Sequence, residues 1–134
     1  MEKTDITRPE DVRRLVDAFY EKVRRDDVIG YIFNEVAKVD WPHHLPRMYA
    51  FWEFLLLGHD TYRGNPLEKH WPVHALEPFT AAHFERWVAL FHAAVDDNFV
   101  GPKADDAKFR AFAIAETWKP KFVEPGGIHL SGRN

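Results

Sequence analysis

The sequence predicts an all-α domain on three observations. Four segments carry apolar residues at helical spacing. Between the second and third of them, residues 58–80 hold the breakers Gly58, Gly64, Pro66, Pro72 and Pro78. Apolar and polar residues nowhere alternate as in a half-buried strand, and no internal repeat is visible.

A chain of 134 residues buries roughly 68% of the surface its unfolded form exposes, enough for a core without staples. Hydrophobic residues make up 46% of it, with eleven Phe and five Trp, which excludes a disordered chain. One domain is expected over residues 1–124, with a flexible Gly-rich tail over 125–134. The absence of cysteine excludes disulfide scaffolds, thiol nucleophiles, zinc fingers, iron–sulfur clusters and thiolate-ligated haem. Any metal must therefore be held by carboxylates or by the eight His, at 43, 44, 59, 70, 74, 83, 92 and 129. The net charge of −3 gives no basic excess for nucleic acid. No apolar run follows the acidic N-terminus, and residues 54–57 (Phe-Leu-Leu-Leu) are far too short to cross a bilayer. A soluble cytoplasmic protein is expected. Its apolar residues are assigned to the core, so a monomer or weak dimer is expected.

Taken in order, the first helix opens with Thr7 and Glu10 as a capping box and Pro9 in its first turn. Val12, Leu15, Val16, Phe19 and Val23 form its apolar stripe, and residues 24–27 end it. Residues 28–36 read as a helical turn or two, weakened by Gly30. A second helix is expected between Asp40 and Leu57, with His44, Met48, Phe51, Trp52 and Leu55 inward and Gly58 as C-cap. Pro42 and Pro46 leave two starts open, near Leu45 or at Asp40 with a distortion at Pro46. Residues 58–80 read as a long ordered loop with one helical turn over 66–70. Its Tyr62, His70, Trp71, His74 and Phe79 argue for order around something. A third long helix spans 80–98 with Thr80 as N-cap and Phe84, Trp87, Val88, Phe91 and Val95 along its stripe. A fourth spans 102–118, with Phe109, Phe112, Ala113, Ile114 and Trp118 inward and Pro120 beyond its end.

Few helices around an aromatic interior can enclose a flat ligand such as haem, which needs one imidazole on the iron and apolar groups on both faces. His70 is the strongest candidate ligand. His74 stands four residues on, but no carboxylate partner is obvious and Pro72 spoils a shared helical face. Of the adjacent His43 and His44, only His44 shares a face with Met48, Phe51 and Trp52, and the plain reading of that face is a core stripe. Tyr20 lies on the inner side of the first helix, where a buried Tyr commonly packs with its hydroxyl satisfied. Trp87 is core by default, with a donor-only indole N–H.

These residues resemble a known family. The segments Phe19-Tyr20-Glu21-Lys22-Val23, Ile32-Phe33-Asn34, His44 to Phe51-Trp52, Leu57-Gly58, Tyr62-Arg63-Gly64-Asn65-Pro66-Leu67 to His70, and His83-Phe84-Glu85-Arg86-Trp87 to Leu90-Phe91 carry the resemblance. In order and spacing they are similar to the truncated (two-over-two) haemoglobins, specifically the third group, over roughly residues 10–118. That group lacks the glycine pairs of the other truncated groups, and none occur here. The resemblance implies haem b between the helices. It implies His70 as the iron ligand and Tyr20, His44 and Trp87 as the distal residues. Phe33 would pack on the haem, Met48, Phe51, Trp52 and Leu55 would form the pocket wall with Tyr62, and Arg47 would be a propionate partner.

A haem protein of this kind would bind oxygen and other diatomic ligands. Oxygen transport is one such role. Nitric oxide dioxygenation or weak peroxidase activity, with a reductase as partner, is another. The rival reading is a haem-free helical interaction domain in which His70 and Tyr20 are structural. A di-iron bundle is weaker, because its Glu-x-x-His motifs are absent.

Overall fold

The computed structural model describes residues 2–60, 62, 64 and 66–123. Arg63 and Asn65 of the resemblance, His129 and the tail expected over 125–134 lie outside the described residues. The elements run α1 (Pro9–Arg25), a π-helical turn (Ile32–Val36), α2 (Trp41–Leu57), α3 (Pro66–Leu76), α4 (Ala81–Asn98) and α5 (Pro102–Phe122). Among the described residues there is no strand, only an isolated bridge between Thr4 and Phe99. The architecture is all-α: α1 packs on α2 and α4, and α4 packs on α5.

The expected stripe of α1 is the centre of the core. Val12, Leu15, Val16, Phe19 and Val23 are each at most 1% exposed. They meet Phe91, Ala94 and Val95 of α4, which are fully buried. The cap of α1 sits one residue later than Thr7 and Glu10 would place it. Pro9 at the first helical position forces Arg8 to be extended (φ −132°, ψ 161°), so Arg8 is the N-cap and Asp11 the third helical residue. The Asp11 carboxylate accepts the N–H groups of Thr7 (2.9 Å) and Arg8 (3.1 Å) and the Thr7 hydroxyl.

Of the two starts open for α2, the earlier is observed. The helix begins after Asp40 and carries Pro46 inside it. Gly58 closes it at φ 75°, a left-handed conformation that glycine adopts without strain. Thr80 and His83 cap α4 reciprocally: the Thr80 oxygen accepts from the His83 N–H, and His83 Nδ1 accepts from the Thr80 N–H.

Two expectations are corrected, and the corrections are linked. Residues 66–76 form a full helix rather than a loop with one turn, with Pro72 inside it. Likewise α5 does not stop at Trp118 but runs through Pro120 to Phe122. The extra turn buries Phe122, which packs on Trp71 (4.4 Å between ring centroids) and His74 (5.1 Å) of α3. A proline removes one rung of a helix, and these aromatic contacts outweigh it at both sites.

A third correction concerns the face of α5. Phe109 and Phe112 are 66% and 48% exposed, and the buried stripe is Ala104, Ala107, Ala111 and Ala115. Small side chains there let α5 approach α4 closely. The N-terminus of α5 is capped by Asp5, whose carboxylate accepts the N–H groups of Lys103 (2.9 Å) and Ala104 (2.8 Å). Gly101 (φ 144°) leaves room for it, since a Cβ there would lie 2.5 Å from the Asp5 carboxyl carbon.

Candidate functional site

Between α1, the π-turn, α2, α3, α4 and the end of α5 lies a cavity of about 490 Å³. That volume lies within the range of about 300–1,000 Å³ common for small-molecule and cofactor sites. Two clusters stand on its wall.

The first cluster joins α1, the π-turn and α2. Tyr20 is buried, and its ring meets His44 edge-on at 5.3 Å and Phe33 at 6.0 Å. Burial alone pushes its hydroxyl well above the ordinary tyrosine value, so it stays protonated and able to donate. His44 Nε2 is buried with no hydrogen-bond partner among the described residues. Burial, then the nearby positive charge at His70, Arg47 and His43, pushes the His44 imidazole down to about 4. It is therefore neutral at physiological pH, with a polar atom unsatisfied inside the fold, a state that costs free energy unless a ligand meets it. Trp87 of α4 also lines the cavity, held edge-on by Phe19 (5.7 Å) and stacked on Phe91 (6.0 Å).

The second cluster belongs to α3 and its neighbours. His70 Nδ1 lies 2.5 Å from the Pro66 carbonyl oxygen. A carbonyl only accepts, so Nδ1 carries the proton and Nε2 is left as the nitrogen able to ligate a metal. Burial pushes His70 below the ordinary histidine value, opposed by that hydrogen bond. Its ring meets Trp118 of α5 at 4.9 Å and Phe79 at 6.3 Å.

Of the residues singled out in the sequence, Tyr20, Phe33, His44, Arg47, Met48, Phe51, Trp52, His70 and Trp87 all line this cavity. Tyr62 and Leu55 do not line it: the Tyr62 ring packs edge-on against Phe51 at 5.3 Å, and Leu55 faces a separate groove toward α5. His74 is also off the wall, with Nδ1 accepting the Phe79 N–H at 2.9 Å. The edge of the cavity carries Lys38, Arg47 and Lys69, all exposed. Lys38 and Lys69 escape sequence reasoning because they lie outside any apolar stripe. Trp41 is a further omission: it stacks on Phe33 (6.3 Å) under the Arg24 guanidinium and so supports Tyr20 and His44 from behind.

The arrangement suits a flat apolar group with acidic substituents and a metal that takes one imidazole. The wall is mainly apolar, one histidine has its second nitrogen tied down, and cations stand at the edge. Among the described residues no three His, Asp or Glu side chains converge to hold a metal ion by themselves. Nor is any helix long and apolar enough to cross a membrane among the described residues.

Comparison with known proteins agrees with this geometry. Residues 5–119 match the family model described as bacterial-like globin. The chain is 36% identical over 128 residues to a group 3 truncated haemoglobin of Campylobacter jejuni, covering 93% of this chain and 98% of that protein. A crystal structure of group III truncated haemoglobin from Campylobacter jejuni superposes with a TM-score of 0.81 at 32% identity. That match covers 95% of this chain and 100% of the other.

Proposed function

This chain belongs to the bacterial-like globins, as a group III truncated haemoglobin, and from that premise we propose that it holds haem b through His70 and binds oxygen and other diatomic ligands beside Tyr20, His44 and Trp87. The observation that carries the reading is His70: its Nδ1–H is committed to Pro66, and it lines the same cavity as three distal donors.

When bound, haem would supply an iron able to take one imidazole of the protein and a diatomic ligand. Every other part is done by the chain. The Pro66 carbonyl fixes the His70 ring and raises the basicity of Nε2. Met48, Phe51 and Trp52 would exclude water from the bound group, and Arg47, with Lys38 and Lys69 at the edge, would hold its propionates. The Tyr20 hydroxyl and the Trp87 indole N–H donate to a ligand atom that carries partial negative charge, in a wall of low polarity where such bonds are strong. The unsatisfied His44 Nε2 is a third polar contact. Several donors around one ligand would slow its release. Oxygen transport is therefore not the only role that fits this pocket, and nitric oxide dioxygenation or weak peroxidase activity, fed by a reductase, fits it as well. The molecule works as a cytoplasmic monomer or weak dimer.

Absorption spectra of the purified ferric, ferrous and carbonyl forms test the reading. A Soret band that shifts on reduction and on carbon monoxide binding is expected. Protein purified after haem supplementation without such a band overturns it.

A further inference from the structure

A second groove, of about 380 Å³, lies between α2 and α5. Its wall includes Leu55 of α2 and Phe109, Ala113 and Thr117 of α5, with the Asp106–Arg110 ion pair (2.9 Å) at its side. Phe51, Ile114 and Trp118 line this groove and the main cavity alike. Trp118 is the distinctive member of the shared wall. One part of it borders the open groove, and its ring meets the His70 imidazole at 4.9 Å with the planes at 72°.

We propose that this groove binds a small neutral phenol or aromatic amine, and that Trp118 relays its electrons through His70 to the haem side. The inference rests on the haem reading above and names a reducing substrate for it.

The chemistry of the groove selects that class. Aromatic and aliphatic walls favour a flat apolar ring. Phe109 is exposed to solvent at the rim, so a bound ring would cover apolar surface. Arg110 is neutralised by Asp106, which leaves little net charge to attract an anion. The Thr117 hydroxyl and the Asp106 carboxylate can accept an O–H or N–H. Indole is the most readily oxidised side chain on this wall, and it alone spans the groove and the imidazole.

The electron balance uses a hydroperoxide as oxidant. Trp118 gives one electron through His70 to the haem side and its N–H proton to water. A phenol in the groove then returns an electron and a proton to Trp118 and leaves as a phenoxyl radical. Two such turns reduce one hydroperoxide: ROOH + 2 ArOH → ROH + H2O + 2 ArO•.

The test uses ferric holoprotein, hydrogen peroxide and p-cresol, with rates expressed per haem. Trp118→Phe should lower turnover at saturating p-cresol at least tenfold with KM little changed. Ala113→Trp fills the groove without removing the relay, and should raise KM for p-cresol at least fivefold with turnover little changed. Electron paramagnetic resonance after peroxide alone should show a tryptophan radical in wild type and in Ala113→Trp, absent in Trp118→Phe. If Trp118→Phe does not retain haem, Ala113→Trp and the wild-type radical signal decide the matter. Unchanged KM in Ala113→Trp, or a wild-type radical that is not tryptophan, overturns the proposal while a normal Soret band leaves the haem reading standing. Wild type without a Soret band overturns both.

Discussion

The α1–α4 interface and the α3 wall of the cavity are built on different terms. At the first, helix stripes meet face to face: Phe19, Val16 and Val23 against Phe91, Ala94 and Val95, all at most 1% exposed. Ion pairs and capping carboxylates ring the same region, with Arg86 holding Asp26 at 2.7 Å and Asp26 also accepting the N–H groups of Val28 and Ile29. Among the described residues, none of the fully buried core belongs to α3. That helix is held by ring contacts of His70 with Trp118 and of Trp71 with Phe122, and just past its end the Tyr31 hydroxyl donates to Glu77 at 2.8 Å. The α1–α4 region is satisfied internally, whereas on the cavity wall His70 of α3 commits Nδ1 to the Pro66 carbonyl and His44 Nε2 of α2 is buried with no hydrogen-bond partner among the described residues. Apolar burial holds the fold together, and the cavity wall is left unfinished on its inner side.

The contrast breaks most completely at His70. We expect His70→Gly to abolish haem retention, because no second imidazole on the wall has its other nitrogen tied in the same way. His74→Ala should leave the absorption spectrum unchanged, since that ring is committed to the Phe79 N–H and does not line the cavity. Haem content of the two purified variants checks this. Loss from His74→Ala alone would reverse the assignment.

On the scaffold side, Phe91→Ala should destabilise the protein by about 3–5 kcal/mol, as fully buried Phe truncations do. The same truncation at Phe112, 48% exposed, should stay within about 0.5 kcal/mol. Urea unfolding of both variants measures the difference. Similar losses at the two positions would mean that α5 presents a different face to the core.

These outcomes bear on what is legible in the sequence. Periodicity locates α1, α2 and α4 because each presents one buried face to a partner and a polar face to solvent. It misplaces the inner face of α5, where the buried residues are alanines and two large Phe point outward. A Phe carries more apparent hydrophobic weight than an Ala, so composition along a helix selects the wrong side when close helix packing requires small residues. The extent of α3 is hidden for another reason: Pro72 marks a stop locally, and the contacts that override it come from Phe122, fifty residues away. The site residues Tyr20, His44, His70 and Trp87 stand out through family resemblance rather than spacing. From spacing alone Tyr20, His44 and Trp87 read as core, and His70 as a loop histidine that is only a candidate ligand. The roles of Trp118 and Trp41 depend on which rings meet, which only the assembled fold specifies.

On the cavity side, Tyr20→Phe should speed oxygen dissociation by roughly 10- to 150-fold, the equivalent of about 1.5–3 kcal/mol for a hydrogen bond to a charged acceptor. Trp87→Phe should have a smaller effect, because a hydroxyl can rotate to follow the ligand and an indole cannot. Carbon monoxide is less polarised when bound, so its dissociation should change little. Stopped-flow measurements of both gases check the pattern. Equal oxygen rates in wild type and both variants would make these residues ordinary core.

The smallest expected effect separates the two regions by pH. On the scaffold, burial raises the carboxyls of Asp5, Asp11 and Asp26, but their hydrogen bonds outweigh it and hold them below the ordinary aspartate value of 3.8. A depressed carboxyl contributes stability that is present above its unfolded value and lost as pH falls through its folded one. These three therefore matter only below about pH 4. His44 has the opposite charge logic. Burial first, then neighbouring positive charge, lowers it to about 4 in the fold against an ordinary value of 6.5. As pH falls through 6.5 the unfolded chain takes up a proton that the folded chain refuses, and stability drops until pH reaches about 4. A full shift would contribute 1.36 kcal/mol per pH unit in that window, and partial exposure of the ring reduces it. Between pH 7.5 and 5.5 we expect about 1 kcal/mol of stability to disappear in wild type and to be retained in His44→Leu. Asp26→Asn should lower stability at both pH values equally. Urea unfolding of the three proteins at the two pH values is the measurement. A pH dependence that persists in His44→Leu and vanishes in Asp26→Asn would place the acid-sensitive groups in the scaffold instead of the cavity wall.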